Sequence, residues 1–197
     1  MTNRLSAEAL SQLLTEARTH NAWMAKDVPE STLREIVDIM KTGPTSANCQ
    51  PARIVFVRSP AAKQRLSPFL SEGNRAKTMA APVCALIGYD LRFYEHLPRL
   101  FPHNQTARSW FEGNDAVIQT TAMRNSTLQG AYFMLAARAL GLDIGAMSGF
   151  DNAGVDREFF PEGHIKSNFL CNVGYGDPAG LFQRSPRPAF DEIAKVI

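Results

Sequence analysis

Residues 83–89 read Val-Cys-Ala-Leu-Ile-Gly-Tyr, an apolar run with no charged side chain in it. A strand with one wet face alternates apolar and polar residues, whereas an unbroken run is stable only when both faces are covered. This stretch therefore predicts a buried strand, and the rest of the chain must supply its cover. Helical spacing marks one source: Leu10, Leu13, Leu14 and Ala17 behind a capping Ser6, ending near Arg18. A second helix is predicted from Ser31, with Leu33, Ile36, Val37 and Met40 on one face and Gly43-Pro44 as its stop. The longest predicted helix runs from Asp115 to Leu140, with Ile118, Ala122, Leu128, Tyr132, Leu135 and Ala139 apolar and Gly141 as C-cap. Its wide apolar perimeter predicts burial on more than one side.

Shorter strands are expected at Arg53–Arg58, Leu142–Met147 and Phe169–Val173, and short helices after Ser59-Pro60 and at Asp151–Phe159. Residues 90–113 mix Phe93, Tyr94, Phe101, Trp110 and Phe111 with prolines and histidines, which reads as a mobile excursion with short helical pieces. Residues 182–188 read as extended and basic, at the head of a C-terminal extension spanning 182–197. With no repeat or linker, one α+β domain spanning 1–197 around a central sheet is the economical reading.

Composition removes several functions. A net charge of +2, with no Lys/Arg cluster, gives no phosphate-tracking surface and so no expected nucleic-acid partner. No apolar run reaches membrane-spanning length, and the N-terminal Met1-Thr2-Asn3-Arg4-Leu5-Ser6 lacks the apolar segment of a signal peptide. A cytoplasmic location is expected. Cys49, Cys84 and Cys171 are far apart and lack metal spacing, and His20, His96, His103 and His164 form no ligand cluster. No metal is expected, and the thiols read as small buried groups, with a reactive role for Cys49 the less favoured alternative.

The templates of hydrolases, P-loop enzymes and Rossmann dehydrogenases are missing: no G-x-S-x-G, no Walker loop, no H-E-x-x-H, no G-x-G-x-x-G after a strand. Small polar clusters stand at element ends instead: Arg18-Thr19-His20-Asn21, Thr45-Ser46-Ala47-Asn48, Gly73-Asn74-Arg75-Ala76-Lys77, Met147-Ser148-Gly149-Phe150-Asp151 and Arg184-Ser185-Pro186-Arg187. Arginine beside a hydroxyl suits a phosphate, and glycine lets backbone N–H approach a planar ligand. Each cluster alone is equally an ordinary polar end of an element.

Taken in order, these clusters resemble the nitroreductase family of FMN-dependent oxidoreductases from about Arg18 to Phe190. The most specific motif is Gly43-Pro44-Thr45-Ser46-Ala47-Asn48-Cys49-Gln50-Pro51. The resemblance implies a three-layer fold with a central mixed or antiparallel sheet flanked by helices, in an intertwined homodimer with the flavin between subunits. It implies FMN as cofactor, NADH or NADPH as donor, and ping-pong hydride transfer through flavin N5. By position, Arg18, Thr19 and His20, with Arg184 and Arg187, would hold the FMN phosphate. Ser46 and Asn48 would contact the ribityl chain and ring, Asn74 and Lys77 the pyrimidine edge, and the Ser148-Gly149 backbone N5. Lys77 would tune the reduced ring; no other catalytic residue is implied. The segments A-R-T-H-N, L-F-P-H, A-R-S-W-F, R-N-S-x-x-Q and M-S-G-F-D are similar to the subgroup that reduces malonic semialdehyde to 3-hydroxypropionate in pyrimidine breakdown. Arg108, Trp110 and Phe111 are the expected substrate contacts, with Arg108 facing a substrate carboxylate. The alternatives are a broad nitroaromatic or quinone reductase and a flavin-binding protein without turnover.

Overall fold

The computed structural model describes residues 3–197; Met1 and Thr2, at the head of the stretch read as lacking a leader, lie outside the described residues. Four strands make one sheet in the order β1-β2-β4-β3: β1 Ala52–Val57, β2 Val83–Asp90, β3 Asp143–Met147 and β4 Ile165–Gly174. All three pairings are antiparallel, from Ala52 opposite Tyr89, Val83 opposite Val173, and Asp143 opposite Gly174. All eight residues of β2 are buried. The apolar run is central because only a central strand has both neighbours and both faces covered.

The two faces of β2 feed different clusters, as the period of two requires. Val83, Ala85 and Ile87 pack with Leu33 and Ile36 of α2 (Glu30–Met40) and Phe133 and Ala137 of α6 (Asp115–Ala139). Cys84 and Leu86 pack with Leu66 of α3 (Pro60–Leu66) and Val155 of α7 (Asn152–Phe159). The result is helices, sheet, helices. Local chemistry places the helix starts: Ser59 accepts from Ala62 N at 3.2 Å with Pro60 following, and Asn114 accepts from Val117 N at 3.2 Å. α6 stops at Gly141, whose φ of +78° suits a residue without Cβ.

Four expectations need correction. The first helix is α1 (Ala7–Leu10) continued by a π-helical turn, Ser11–Thr15, and stops short of Arg18. α2 begins at Glu30 behind Pro29, one residue ahead of the expected start at Ser31. A helix that the spacing did not suggest, α4 (Glu72–Ala80), carries Asn74 and Lys77. Residues 90–113 are anchored rather than loose. Their short pieces, including α5 (Leu97–Leu100), bury Phe93, Leu97, Ala107 and Phe111 in a third cluster with Cys49, Tyr89 and Ile118.

Candidate functional site

The chain from Arg18 to Trp23 lies along the outer edge of β3. Thr19 bridges Ile144 in parallel, His20 N donates to Ile144 O at 3.0 Å, and Trp23 pairs with Gly176. This cover removes an exposed sheet edge and fixes the polar cluster in space. Arg18 donates to Phe182 O, which draws the tail from Phe182 to Arg187 over the same place. Between them lies a cavity of about 820 Å³ walled by Arg18, Thr19, Asn21, Arg138, Arg184 and Arg187, with no carboxylate in its lining. Glu16 pairs with Arg184 at 3.6 Å from outside that lining. Arg138, on the last turn of α6, was not anticipated. Its guanidinium donates to Leu13 O at 2.9 Å, and burial holds its pKa below the ordinary arginine value.

Expected with this group, His20 is turned inward. It is buried, its Nε2 lies 3.3 Å from Asp143 Oδ1, and its ring stands against the backbone of Gly176. Strand-like alternation explains this: with Thr19 and Asn21 facing the cavity or solvent, the residue between them faces the protein.

Asn21, in the wall of the cavity, links it to α4: its Oδ1 accepts from Lys77 Nζ at 3.2 Å. Gly149, just past β3, is gripped by the start of the same helix. Its carbonyl accepts from Ser71 Oγ at 2.7 Å, Ser71 N at 3.1 Å and Asn74 Nδ2 at 2.9 Å. A Cβ at position 149 would sit 2.6 Å from Ser71 Oγ and 2.7 Å from Asn74 Nδ2, so any other residue would push both hydrogen-bonding side chains aside. Ser148 is exposed beside it. The structure thus brings Arg18, Thr19, Asn74, Lys77, Ser148, Gly149, Arg184 and Arg187 to the β3 edge.

Ser46 and Asn48 are elsewhere. Their loop enters β1, at the opposite edge of the sheet and roughly 14 Å of strand spacing away. Ala47, Asn48 and Gln50 take positive φ angles of 48°, 49° and 42°, a conformation that is unfavourable for side chains other than Asn. Buried amides on α6 hold it there. Asn125 Oδ1 accepts from Ser46 N at 2.8 Å, Gln129 Oε1 accepts from Ala52 N at 2.8 Å, and Gln129 Nε2 donates to Gln50 Oε1 at 2.5 Å. Gly43 admits the ring of Tyr132, whose hydroxyl donates to Pro44 O at 3.0 Å. Polar Asn125, Ser126 and Gln129 interrupt the apolar pattern of α6 on its buried face, and that interruption was the available signal. Leu128, expected in the core, is 42% exposed instead.

The expected substrate contacts divide. Phe111 is buried edge-on against Phe93, with ring centroids 4.9 Å apart, while Trp110 is exposed. Arg108 is exposed and its Nε lies 2.7 Å from Glu112 Oε1. The thiols are all buried. Burial raises Cys49 to about 11 and Cys171 to about 12, and pushes Cys84 up further, so Cys49 is no nucleophile at neutral pH. Among the described residues no group of three His, Cys, Asp or Glu could hold a metal, and no helix is long and apolar enough to cross a membrane.

Residues 14–175 match the family model described as "Nitroreductase family". A Burkholderia lata protein, provisionally named an NADH dehydrogenase/NAD(P)H nitroreductase, is 66% identical over 192 residues and 98% of both chains. A Stenotrophomonas maltophilia protein with the same provisional name is 59% identical over 196 residues and all of both chains. Among solved structures, a nitroreductase so assigned from Bacillus subtilis superposes with a TM-score of 0.87 at 19% identity, covering 98% of this chain and 100% of the other. Another, from Exiguobacterium sibiricum and in complex with FMN, gives 0.85 at 17% identity, with both chains fully covered.

Proposed function

We propose, from the premise that the chain belongs to the nitroreductase family, that it is an FMN-dependent NAD(P)H oxidoreductase. The observation that carries this reading is the arginine-walled cavity at the β3 edge, whose wall residue Asn21 is hydrogen-bonded to Lys77. Its residues fit FMN. Four guanidiniums and Thr19, without a carboxylate among the lining residues, match a phosphate monoester dianion. When bound, FMN supplies hydride acceptance and donation at its N5. The chain's part is to hold and polarise. Arg18, Arg184 and Arg187 would bind the phosphate, with Arg138 added to the expected set. Asn74 and Lys77 would face the pyrimidine edge, where the Lys77 ammonium favours the negative charge of a reduced ring. The backbone of Ser148 and Gly149 is fixed by Ser71 and Asn74 to meet the ring.

A homodimer completes the site in this reading. Ser46 and Asn48, at the far sheet edge, would reach the cofactor held by a second copy, and the exposed Val117, Met123 and Leu128 of α6 give that copy an apolar face. The strained, doubly anchored loop supports the reading, since a preformed loop loses little entropy on binding.

For the acceptor, the motif likeness to the malonic-semialdehyde subgroup supports reduction of that aldehyde acid to 3-hydroxypropionate, a step of pyrimidine catabolism. The exposed Trp110 and the 90–113 excursion would cover the ring. Broad nitroaromatic or quinone reduction is the second reading, favoured by Arg108 being paired with Glu112 rather than free. Anaerobic stopped-flow separates them. A yellow protein bleached by NADH or NADPH and quickly re-oxidised by malonic semialdehyde supports the specific reductase. Re-oxidation by nitroaromatics or quinones alone leaves the general one, bound flavin that NAD(P)H does not bleach leaves a carrier, and failure to take up FMN rejects the reading.

A further inference from the structure

A second cavity, of about 440 Å³, opens between α2, the 43–51 loop, the start of β1 and α5. Its wall carries Lys41, Arg53, His96 and Arg99 and no carboxylate. Two of these cations are already neutralised: Lys41 Nζ lies 2.5 Å from Asp38 Oδ1, and Arg53 Nη2 lies 2.5 Å from Asp90 Oδ2. Arg99 and His96 make no side-chain hydrogen bond or ion pair among the described residues. The Arg99 side chain is exposed, but the backbone that carries it is tied down, since Leu100 O, one residue on, accepts from Asn48 Nδ2 at 2.8 Å. That bond joins the turn carrying Arg99 to the residue proposed to meet the flavin. Val37, Met40 and Leu100 line the rest with hydrocarbon.

We propose that this cavity is an anion subsite, in which Arg99 binds the carboxylate of a small acidic electron acceptor. The proposal rests on the flavin reading above and names the residue that would select an acidic acceptor at that site. One free guanidinium with hydrocarbon beside it matches a short carboxylic acid, and its planar fork pairs with both carboxylate oxygens. A nicotinamide donor presents phosphate groups to the same chemistry, but the phosphate-type site of this chain uses four arginines, whereas here the cavity offers Arg99 and His96 without partners among the described residues. Arg99 thus replaces Arg108, which is occupied by Glu112, as the residue that selects an acidic substrate.

The test uses the FMN-loaded protein with 4-nitrobenzoate and 4-nitrobenzyl alcohol, acceptors that differ in the carboxylate. The ratio of their kcat/KM values is expected to fall about tenfold in Arg99→Leu and to recover only in part in Arg99→Lys, which keeps the charge but not the planar fork. An unchanged ratio overturns the proposal. So does an unchanged acceptor ratio with a drop in NADPH relative to NADH, which would give the cavity to the donor. Calorimetric titration with benzoate and benzamide, on protein with and without FMN, separates the two readings. Benzoate binding weakened about tenfold in Arg99→Leu, in protein that takes up no FMN, keeps the anion site and fails the flavin reading. FMN uptake with benzoate binding equal in both variants keeps the flavin reading and fails the anion site.

Discussion

Replacing Gln129 by Leu removes the amide that holds the 43–51 loop against α6. Gln129 is 2% exposed and close to Leu in volume, so the change creates no large cavity. It leaves Ala52 N–H without its 2.8 Å acceptor, at a cost of about 1–3 kcal/mol, and removes the amide–amide bond to Gln50, worth about 0.5–1.5 kcal/mol. Burial of the added hydrocarbon offsets about 1 kcal/mol. A net loss of about 2 kcal/mol lowers the Tm of a chain of this size by about 4–8 °C. The loop has more to lose than the fold. With φ positive at Ala47, Asn48 and Gln50, it stays strained only while it is held. Once Gln50 is released, the proposed contacts of Ser46 and Asn48 to flavin are no longer preformed, and FMN affinity should fall about tenfold. Thermal melts and fluorescence titration with FMN measure both. A Tm within 1 °C of wild type together with an FMN Kd within twofold refutes the reasoning.

Gly149→Ala forces a Cβ into Ser71 and Asn74, and such overpacking costs about 1–3 kcal/mol. Because it also breaks the grip on the Gly149 carbonyl, FMN binding should weaken at least tenfold, which equilibrium titration checks. Lys77→Ala should lower the rate of flavin reduction and FMN affinity together, about tenfold each, by anaerobic stopped-flow; if neither changes, Lys77 does not face the flavin. The thiols predict an alkaline limit. Cys49 is raised to about 11 in the folded chain against an ordinary value near 9, so its contribution is complete below pH 9 and is lost as pH rises to 11. That shift corresponds to roughly 3 kcal/mol. Tm should decline over this window, less steeply in Cys49→Ala, and an aromatic disulfide reagent should titrate the three thiols only after unfolding.

The chain order of its elements is largely written in local chemistry. Val83–Tyr89 could only be a doubly covered strand, Ser59-Pro60 announces a helix, and Gly141 ends one. These signals are legible because hydrophobic period, capping side chains and left-handed glycine act within a few residues. α4 was missed for the same reason. Glu72–Ala80 has one buried residue, Thr78, and so no apolar stripe to read.

The residue types of the candidate site were also legible as polar clusters at element ends, but their grouping was not. Sheet order β1-β2-β4-β3 puts Ser46 and Asn48 at one edge and Arg18, Lys77 and Gly149 at the other, and no spacing along the chain encodes that. Only tertiary packing turned His20 inward to Asp143, brought Arg138 to the arginine cavity, paired Arg108 with Glu112 and left Arg99 free. The sequence by itself determined which segments are apolar, where they start and stop, and which carry hydrogen-bonding groups. The tertiary structure decided which of those groups are satisfied within the chain and which remain for a ligand, because satisfaction depends on neighbours far apart in sequence.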